Sequence, residues 1–320
     1  MRTDRLETFT DRAEEVALFD SDLLRGRDPE KPWPLLPILT FIAPGGSGKS
    51  TLIEHLIERC SVDGKPALPY ARLDFTVPGT PTDLLPILML LRDQLQLHSD
   101  EYDEHLPFPR FDLGALIAQA ATKALSEITP DNVRQSLSTD KKLFDSLLAG
   151  GSTLGFLVPF IPAVLAGVKM AGQIPAVQDT VQRILSHLED STDWKWYRTK
   201  LRLSVMMGMD DVLLHLYELS LRGRPEREEL VNEWLPAAFA ADLYGALVEA
   251  TIPKAWTKVA NVVIFLDGFE ALQSASSTTA MQLLRGLAIE PRKQGQTDPL
   301  LLVIGSRDPL PGMTEDNANR

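Results

Sequence analysis

The chain has 320 residues, 44% apolar and 24% charged, a globular balance that excludes a disordered chain, a collagen-like repeat and a disulfide scaffold. At about 100–200 residues per domain, this length allows two domains, or one domain carrying a large insertion. The formal net charge of -12 argues against nucleic acid as a partner, since binding would need a segregated basic face.

Taken in chain order, residues 9–24 (FTDRAEEVALFDSDLL) open with a helix. Val16, Phe19 and Leu23 recur at helical spacing, Leu18 broadens the stripe, and Thr10 or Asp11 is placed to cap it. Residues 26–37 hold four prolines and predict a loop. The apolar run 38–42 (ILTFI) predicts a strand, followed by APGGSGKS over 43–50 and an amphipathic helix over 51–59. Residues 70–75 (YARLDF) alternate as a second strand, and 82–97 predict a helix with Pro86 in its first turn. The next strands come late, at 262–266 (VVIFL) and 300–304 (LLLVI). Such continuous apolar runs suit parallel strands buried on both faces.

Residues 76–261 show little strand character and have helical spacing over 112–129, 179–190, 204–221 and 226–250. The expected fold is therefore α/β: a parallel sheet flanked by helices, with a large helical insertion between the second strand and the 262–266 strand. The corresponding division is 1–110 for the N-terminal segment and P-loop half, 111–255 for the insertion, and 256–320 for the second half with a frayed tail.

Residues 43–50 fit the P-loop pattern, with Ala43 in the first glycine position. Gly45, Gly46 and Gly48 let the backbone curl so that successive N–H groups, including that of Ser47, point into one concavity. The helix that follows adds its positive N-terminus. Lys49 is expected to reach the β- and γ-phosphates of a nucleotide, and the Ser50 hydroxyl to ligate Mg²⁺. Thr51 would lie near the α-phosphate. The run NVVIFLDGFE (261–270) has the Walker B form, a strand that delivers Asp267 to the carboxyl edge of the sheet beside the P-loop. There Asp267 would hold Mg²⁺ through water, and Glu270 would orient or activate the attacking water. Arg307 follows the 300–304 strand and is placed to touch the γ-phosphate.

In their order, APGGSGKS, FLDGFE and IGSR resemble the STAND class of P-loop NTPases, signalling ATPases that include the NACHT and NB-ARC groups. Gly268 directly after the acid, with Glu270 two residues on, resembles the NACHT-type Walker B. FTDRAEEVALF resembles the segment that precedes the P-loop there, which implies that Phe9 to Arg12 lie beside the adenine. The resemblance covers 9–100 and 235–310. It implies the sheet order 70–75, 262–266, 300–304, 38–42, ATP or ADP as ligand with Mg²⁺, and slow hydrolysis coupled to conformational change. It also implies self-association or a partner protein. The chain departs from the family at Ala271, where many NACHT sequences carry a further acid. It also has only 13 residues after Arg307, where the family continues into a fifth strand, a winged helix and repeats. Two alternatives stand beside this reading. One is a remodelling ATPase of AAA+ type, which Asp267-Gly268 disfavours because that class carries an Asp-Glu pair. The other is a nucleotide-holding module that docks to a partner or membrane through residues 146–168.

That segment, SLLAGGSTLGFLVPFIPAVLAGV, carries no charge, but its glycines and two prolines split it, so a protein-facing role is expected over a membrane span. Residues 193–202 (DWKWYRTKLR) interleave aromatic and basic side chains, and a helix with a core-facing aromatic stripe is expected there over a nucleic-acid site. PEREELVNE (225–233) predicts an exposed helix. The five histidines (55, 98, 105, 187 and 215) show no metal-ligand spacing. Cys60, the single cysteine, is expected to be a small buried hydrophobe, and a reducing, cytoplasmic location is expected because one cysteine cannot form an internal disulfide and no secretory-signal pattern opens the sequence.

Overall fold

The structure is a computed structural model that describes residues 12–23, 38–62, 65–66, 68–97, 106–119, 129–139, 193–221, 224–247, 261–289 and 299–310. In chain order the elements are α1 (Ala13–Leu23), β1 (Ile38–Ile42), α2 (Lys49–Arg59), β2 (Ser61–Val62), β3 (Lys65–Pro66), β4 (Tyr70–Asp74) and α3 (Leu84–Leu97). There follow α4 (Pro109–Gln119), α5 (Pro130–Thr139), α6 (Trp194–Lys200), α7 (Met209–Leu221), α8 (Arg224–Glu229) and α9 (Leu235–Leu247). The chain closes with β5 (Val262–Asp267), α10 (Phe269–Ala275), α11 (Ser277–Leu284) and β6 (Leu300–Ser306). It divides into two compact units, one of Met1–Asp83, Gln94–Leu106 and Leu243–Arg320, the other of Leu84–Asp93 and Pro107–Asp242.

The first unit is built on a four-stranded sheet in the order β1-β6-β5-β4, with every pair parallel. This is the order that the family resemblance implied. The central strands β5 and β6 are buried along their whole length, as their unbroken apolar runs require, while β1 and β4 alternate at the edges. On one face Leu39, Phe41, Val263, Phe265, Leu301 and Val303 pack with Phe19 of α1 and with Leu52, Ile53 and Leu56 of α2. Phe19 lies 6.0 Å from Phe265, ring centre to ring centre. Cys60 belongs to the same cluster, and burial pushes its thiol up to about 12, so it behaves as a hydrophobe. Ile264, Leu266, Leu302 and Ile304 alternate onto the other face and are equally buried.

The second unit is helical among its described residues. Phe239 stacks on Phe108 at 5.0 Å and meets Phe111 edge-on at 5.5 Å. Asp242 accepts the Phe111 N–H at 2.8 Å and the Arg110 N–H at 3.3 Å. It thereby supplies from α9 the N-terminal cap that α4 lacks in its own sequence. Tyr197 of α6 is buried and donates to the Arg110 carbonyl at 2.8 Å, while Lys195 and Lys200 are exposed; residues 194–200 form the expected helix, but of its aromatic stripe Tyr197 alone is buried and Trp194 and Trp196 are half-buried. The exposed helix expected over 225–233 is present through Glu229, and Leu230 turns inward.

Three of the helices expected between residues 112 and 250 differ from expectation in a boundary or in continuity. The helix expected over 112–129 begins at Pro109, and residues 120–128 lie outside the described residues. The helix expected over 204–221 begins at Met209. Gly208 caps it instead of joining it: its N–H donates to Asp211 Oδ2 at 2.8 Å while its carbonyl accepts from Val212. The helix expected over 226–250 is broken by a π turn at Leu230–Trp234. Pro236, just beyond, has no N–H to return to residue 232, and the turn widens there. The helix expected over 179–190 and the apolar segment 146–168 lie outside the described residues. Among the described residues no helix is long and apolar enough to cross a membrane.

Candidate functional site

The parallel register brings the carboxyl ends of all four strands to one edge: Ile42 pairs with Ser306, and Asp74 with Asp267. In open parallel sheets ligands bind at this edge. The loop after β1 turns through Gly46 at φ 78° and Gly48 at φ 83°, backbone that favours glycine. Gly48 caps the 11-residue helix α2 without a side-chain hydrogen bond, so the cap residue itself takes none of the first N–H donors. The Ala43 N–H donates to the Ser306 carbonyl at 3.2 Å and ties the loop to the end of β6.

Lys49 is buried, and its ammonium donates to the carbonyls of Ala43 and Pro44, the latter at 2.9 Å, and to Ser47 Oγ at 3.5 Å. The loop thus wraps its own cation. Arg12, at the start of α1, donates to the Ser47 carbonyl at 3.0 Å and to Glu15 at 2.8 Å, which brings the start of α1 onto this loop. Phe9, Thr10 and Asp11 lie outside the described residues. Thr51 is exposed on the first turn of α2.

Asp267 ends β5 and is 2% exposed. Oδ1 accepts the Gly268 N–H at 2.9 Å, whereas Oδ2 is buried without a hydrogen-bond partner. Burial raises the proton affinity of the carboxyl, and the charge of Asp74 raises it further; the Ser50 hydroxyl and the Arg72 guanidinium pull it down. A carboxylate with one orphaned buried oxygen, faced by a hydroxyl, is the hard oxygen donor set that Mg²⁺ takes. No group of three His, Cys, Asp or Glu gathers as a separate metal site among the described residues. Gly268 follows at φ 62°, and a Cβ there would lie 2.3 Å from Thr76 Cγ2. Close packing against Thr76 therefore adds to the backbone's demand for glycine.

Glu270, in the first turn of α10, accepts the backbone N–H of Arg307 at 3.0 Å and pairs with Arg307 Nε at 3.1 Å. The Arg307 guanidinium lies beside Gly45: a Cβ on Gly45 would stand 3.1 Å from Arg307 Cζ. The fold therefore gathers the glycine-rich loop after β1, Asp267, Glu270, Arg307 and Arg12 at one edge. It also adds residues that sequence reasoning missed. Arg72 Nη2 lies 3.6 Å from Asp267 Oδ2 and 3.9 Å from Asp74 Oδ2. Asp74 Oδ1 accepts both the N–H and the hydroxyl of Thr76, at 2.9 and 2.6 Å. The available signal was the acid that closes YARLD, since an acid at the end of a strand paired in parallel with β5 shares the edge of Asp267.

No family model, curated protein or solved structure matches the chain.

Proposed function

We propose that this chain is an ATP-binding switch of STAND type, in which nucleotide and slow Mg²⁺-dependent hydrolysis are coupled to conformational change or self-association. One observation carries the reading: a glycine-turned loop with its buried lysine, an orphaned carboxylate oxygen and an arginine meet at the carboxyl edge of one parallel sheet. The loop N–H groups and the start of α2 would bind phosphate oxygens, and Lys49 would exchange its loop carbonyls for them. Ser50 and Asp267 would hold Mg²⁺, which when bound supplies charge neutralisation on the phosphates. Glu270 would accept a proton from water, and Arg12 would fix the N-terminal segment over the loop beside the base.

Calorimetric titration with Mg-ATP and ADP tests the proposal. The wild type should bind both, and Lys49→Ala should weaken binding by about 10- to 100-fold, the worth of hydrogen bonds to a charged group. At ligand 100-fold above Kd the native fold should gain about 2.7 kcal/mol, read as a rise in Tm. No heat and no thermal shift with the wild type would remove the nucleotide reading.

A further inference from the structure

Glu270 and Arg307 are joined by two separate contacts. The backbone N–H of Arg307 holds Oε2 at 3.0 Å, while the side-chain Nε holds Oε1 at 3.1 Å. The two side chains differ in exposure, with Glu270 at 15% and Arg307 at 59%. The carboxylate is thus enclosed, and the guanidinium stands in solvent along the first glycine of the P-loop, with Cζ, Nε and Nη2 at 3.1 to 3.3 Å from where a Gly45 Cβ would be. A second tie, from Gln273 Nε2 to the Pro309 carbonyl at 3.1 Å, binds α10 to the segment after β6 independently of the pair.

We propose that Arg307 is a positioning residue that latches Glu270 and releases it only to a third phosphate. The inference rests on the nucleotide reading above and adds how the site tells a triphosphate from a diphosphate. A guanidinium beside Gly45 has two competing acceptors, Glu270 Oε1 and a terminal phosphate oxygen seated in the loop. The phosphate carries more charge and accepts the planar fork more completely. When the side chain swings to it, only Oε1 is freed. Oε2 stays on the Arg307 N–H and the Gln273 tie stays closed, so the carboxylate keeps its place with one oxygen open to take a proton from water. A diphosphate offers no such acceptor, and the pair stays shut. Breaking the pair therefore subtracts from triphosphate affinity alone.

A double-mutant cycle tests this, using the full chain, calorimetry, Mg²⁺, ADP and the non-hydrolysable triphosphate AMP-PNP. Glu270→Gln should tighten AMP-PNP by about two- to five-fold, the usual worth of a partly exposed ion pair, and leave ADP unchanged. Arg307→Met should cut AMP-PNP affinity to near that of ADP, and in that background Glu270→Gln should no longer change the ratio of the two. Arg307→Gln repeats the cycle should the Met variant fold poorly. If Glu270→Gln tightens AMP-PNP equally with and without Arg307, the effect is simple loss of a negative charge and the latch is wrong. Equal tightening of ADP overturns it as well. In both cases ADP binding itself persists and the nucleotide reading survives. A wild type that binds neither ligand removes that reading and the latch together.

Discussion

At Asp267 the fold sets stability against the metal binding proposed for it. Burial makes the folded state disfavour its charge, and the Arg72 guanidinium, 3.6 Å from Oδ2, offsets this only in part. Asp267→Asn keeps the shape, discards the charge and retains an acceptor for the Gly268 N–H. The variant should therefore melt at the same temperature as the wild type or higher, while the Mg²⁺-dependent part of ATP affinity falls by about 10- to 100-fold, the usual loss for a residue that orders metal-bound water. Melting curves without nucleotide, paired with titrations with and without Mg²⁺, separate the two effects. A variant that melts well below the wild type would show Asp267 to be a structural ion-pair member with Arg72. The pH dependence has the same origin. Because the carboxyl's proton affinity is raised, Mg²⁺ dependence should fade on acidification at a higher pH than for an ordinary aspartate.

Strand β4 lies at an edge of the sheet, where unpaired N–H and C=O groups invite another chain. Gln94 of α3 closes that edge at one residue: its Oε1 accepts the Arg72 N–H at 2.7 Å and its Nε2 donates to the Arg72 carbonyl at 3.0 Å. The clamp fixes the backbone of the residue whose guanidinium faces Asp267, so it also steadies the site. Gln94→Ala strips both partners from a part-buried strand and should cost about 1–3 kcal/mol. Urea unfolding would measure the loss, and refolding at rising protein concentration should show more aggregation than the wild type. On the face of the sheet covered by α1 and α2, Arg59 of α2 forks onto Asp20 of α1, with Nε to Oδ1 at 2.6 Å, and Phe19 fills the core below. The two contacts fix α1, and with it Arg12 at the loop.

Across the whole molecule, one buried charge cluster gives the second unit its own pH response. Arg92 donates to Asp112 at 2.8 Å and to Asp93 at 3.1 Å, and Asp93 Oδ2 is left unpartnered. Burial pushes Asp93 up to about 7, although the Arg92 charge opposes it. The folded state then holds a proton that the unfolded chain releases near the ordinary carboxylate value, so the stability this group confers is present in acid and lost as pH rises toward 7. Its slope approaches about 1.4 kcal/mol per pH unit for one proton. Asp93→Asn should remove that slope: between pH 5 and pH 8 the wild-type midpoint should fall relative to that of the variant. Parallel melting temperatures across this range would show instead that Arg92 keeps Asp93 ionised in the folded protein.

How much of this was legible beforehand follows from the range of each interaction. The glycine turn after β1, the apolar strands 262–266 and 300–304 and the acid that ends the first of these rest on neighbours in the chain. The curl of the loop, the burial of the strands and the place of Asp267 at a strand end could therefore be read from the residues alone, although of Gly45, Gly46 and Gly48 only the last two take a positive φ. The sheet order came from the family resemblance and agrees with the observed pairing. What the sequence could not supply were contacts between residues distant along it. Glu270 meets Arg307 across 37 positions, Arg12 reaches Ser47 across 35, and Asp242 caps α4 across 131. Asp74 gained its place beside Asp267 only through strand register. No local pattern encodes such pairings, because each depends on where two separately folded segments are brought together by the burial of a shared core. By itself the sequence determined the glycine loop, the strand-end acid and the arginine on which the proposed phosphate and metal chemistry rests; tertiary structure decided which of them face one another, and so that Glu270 is held by Arg307.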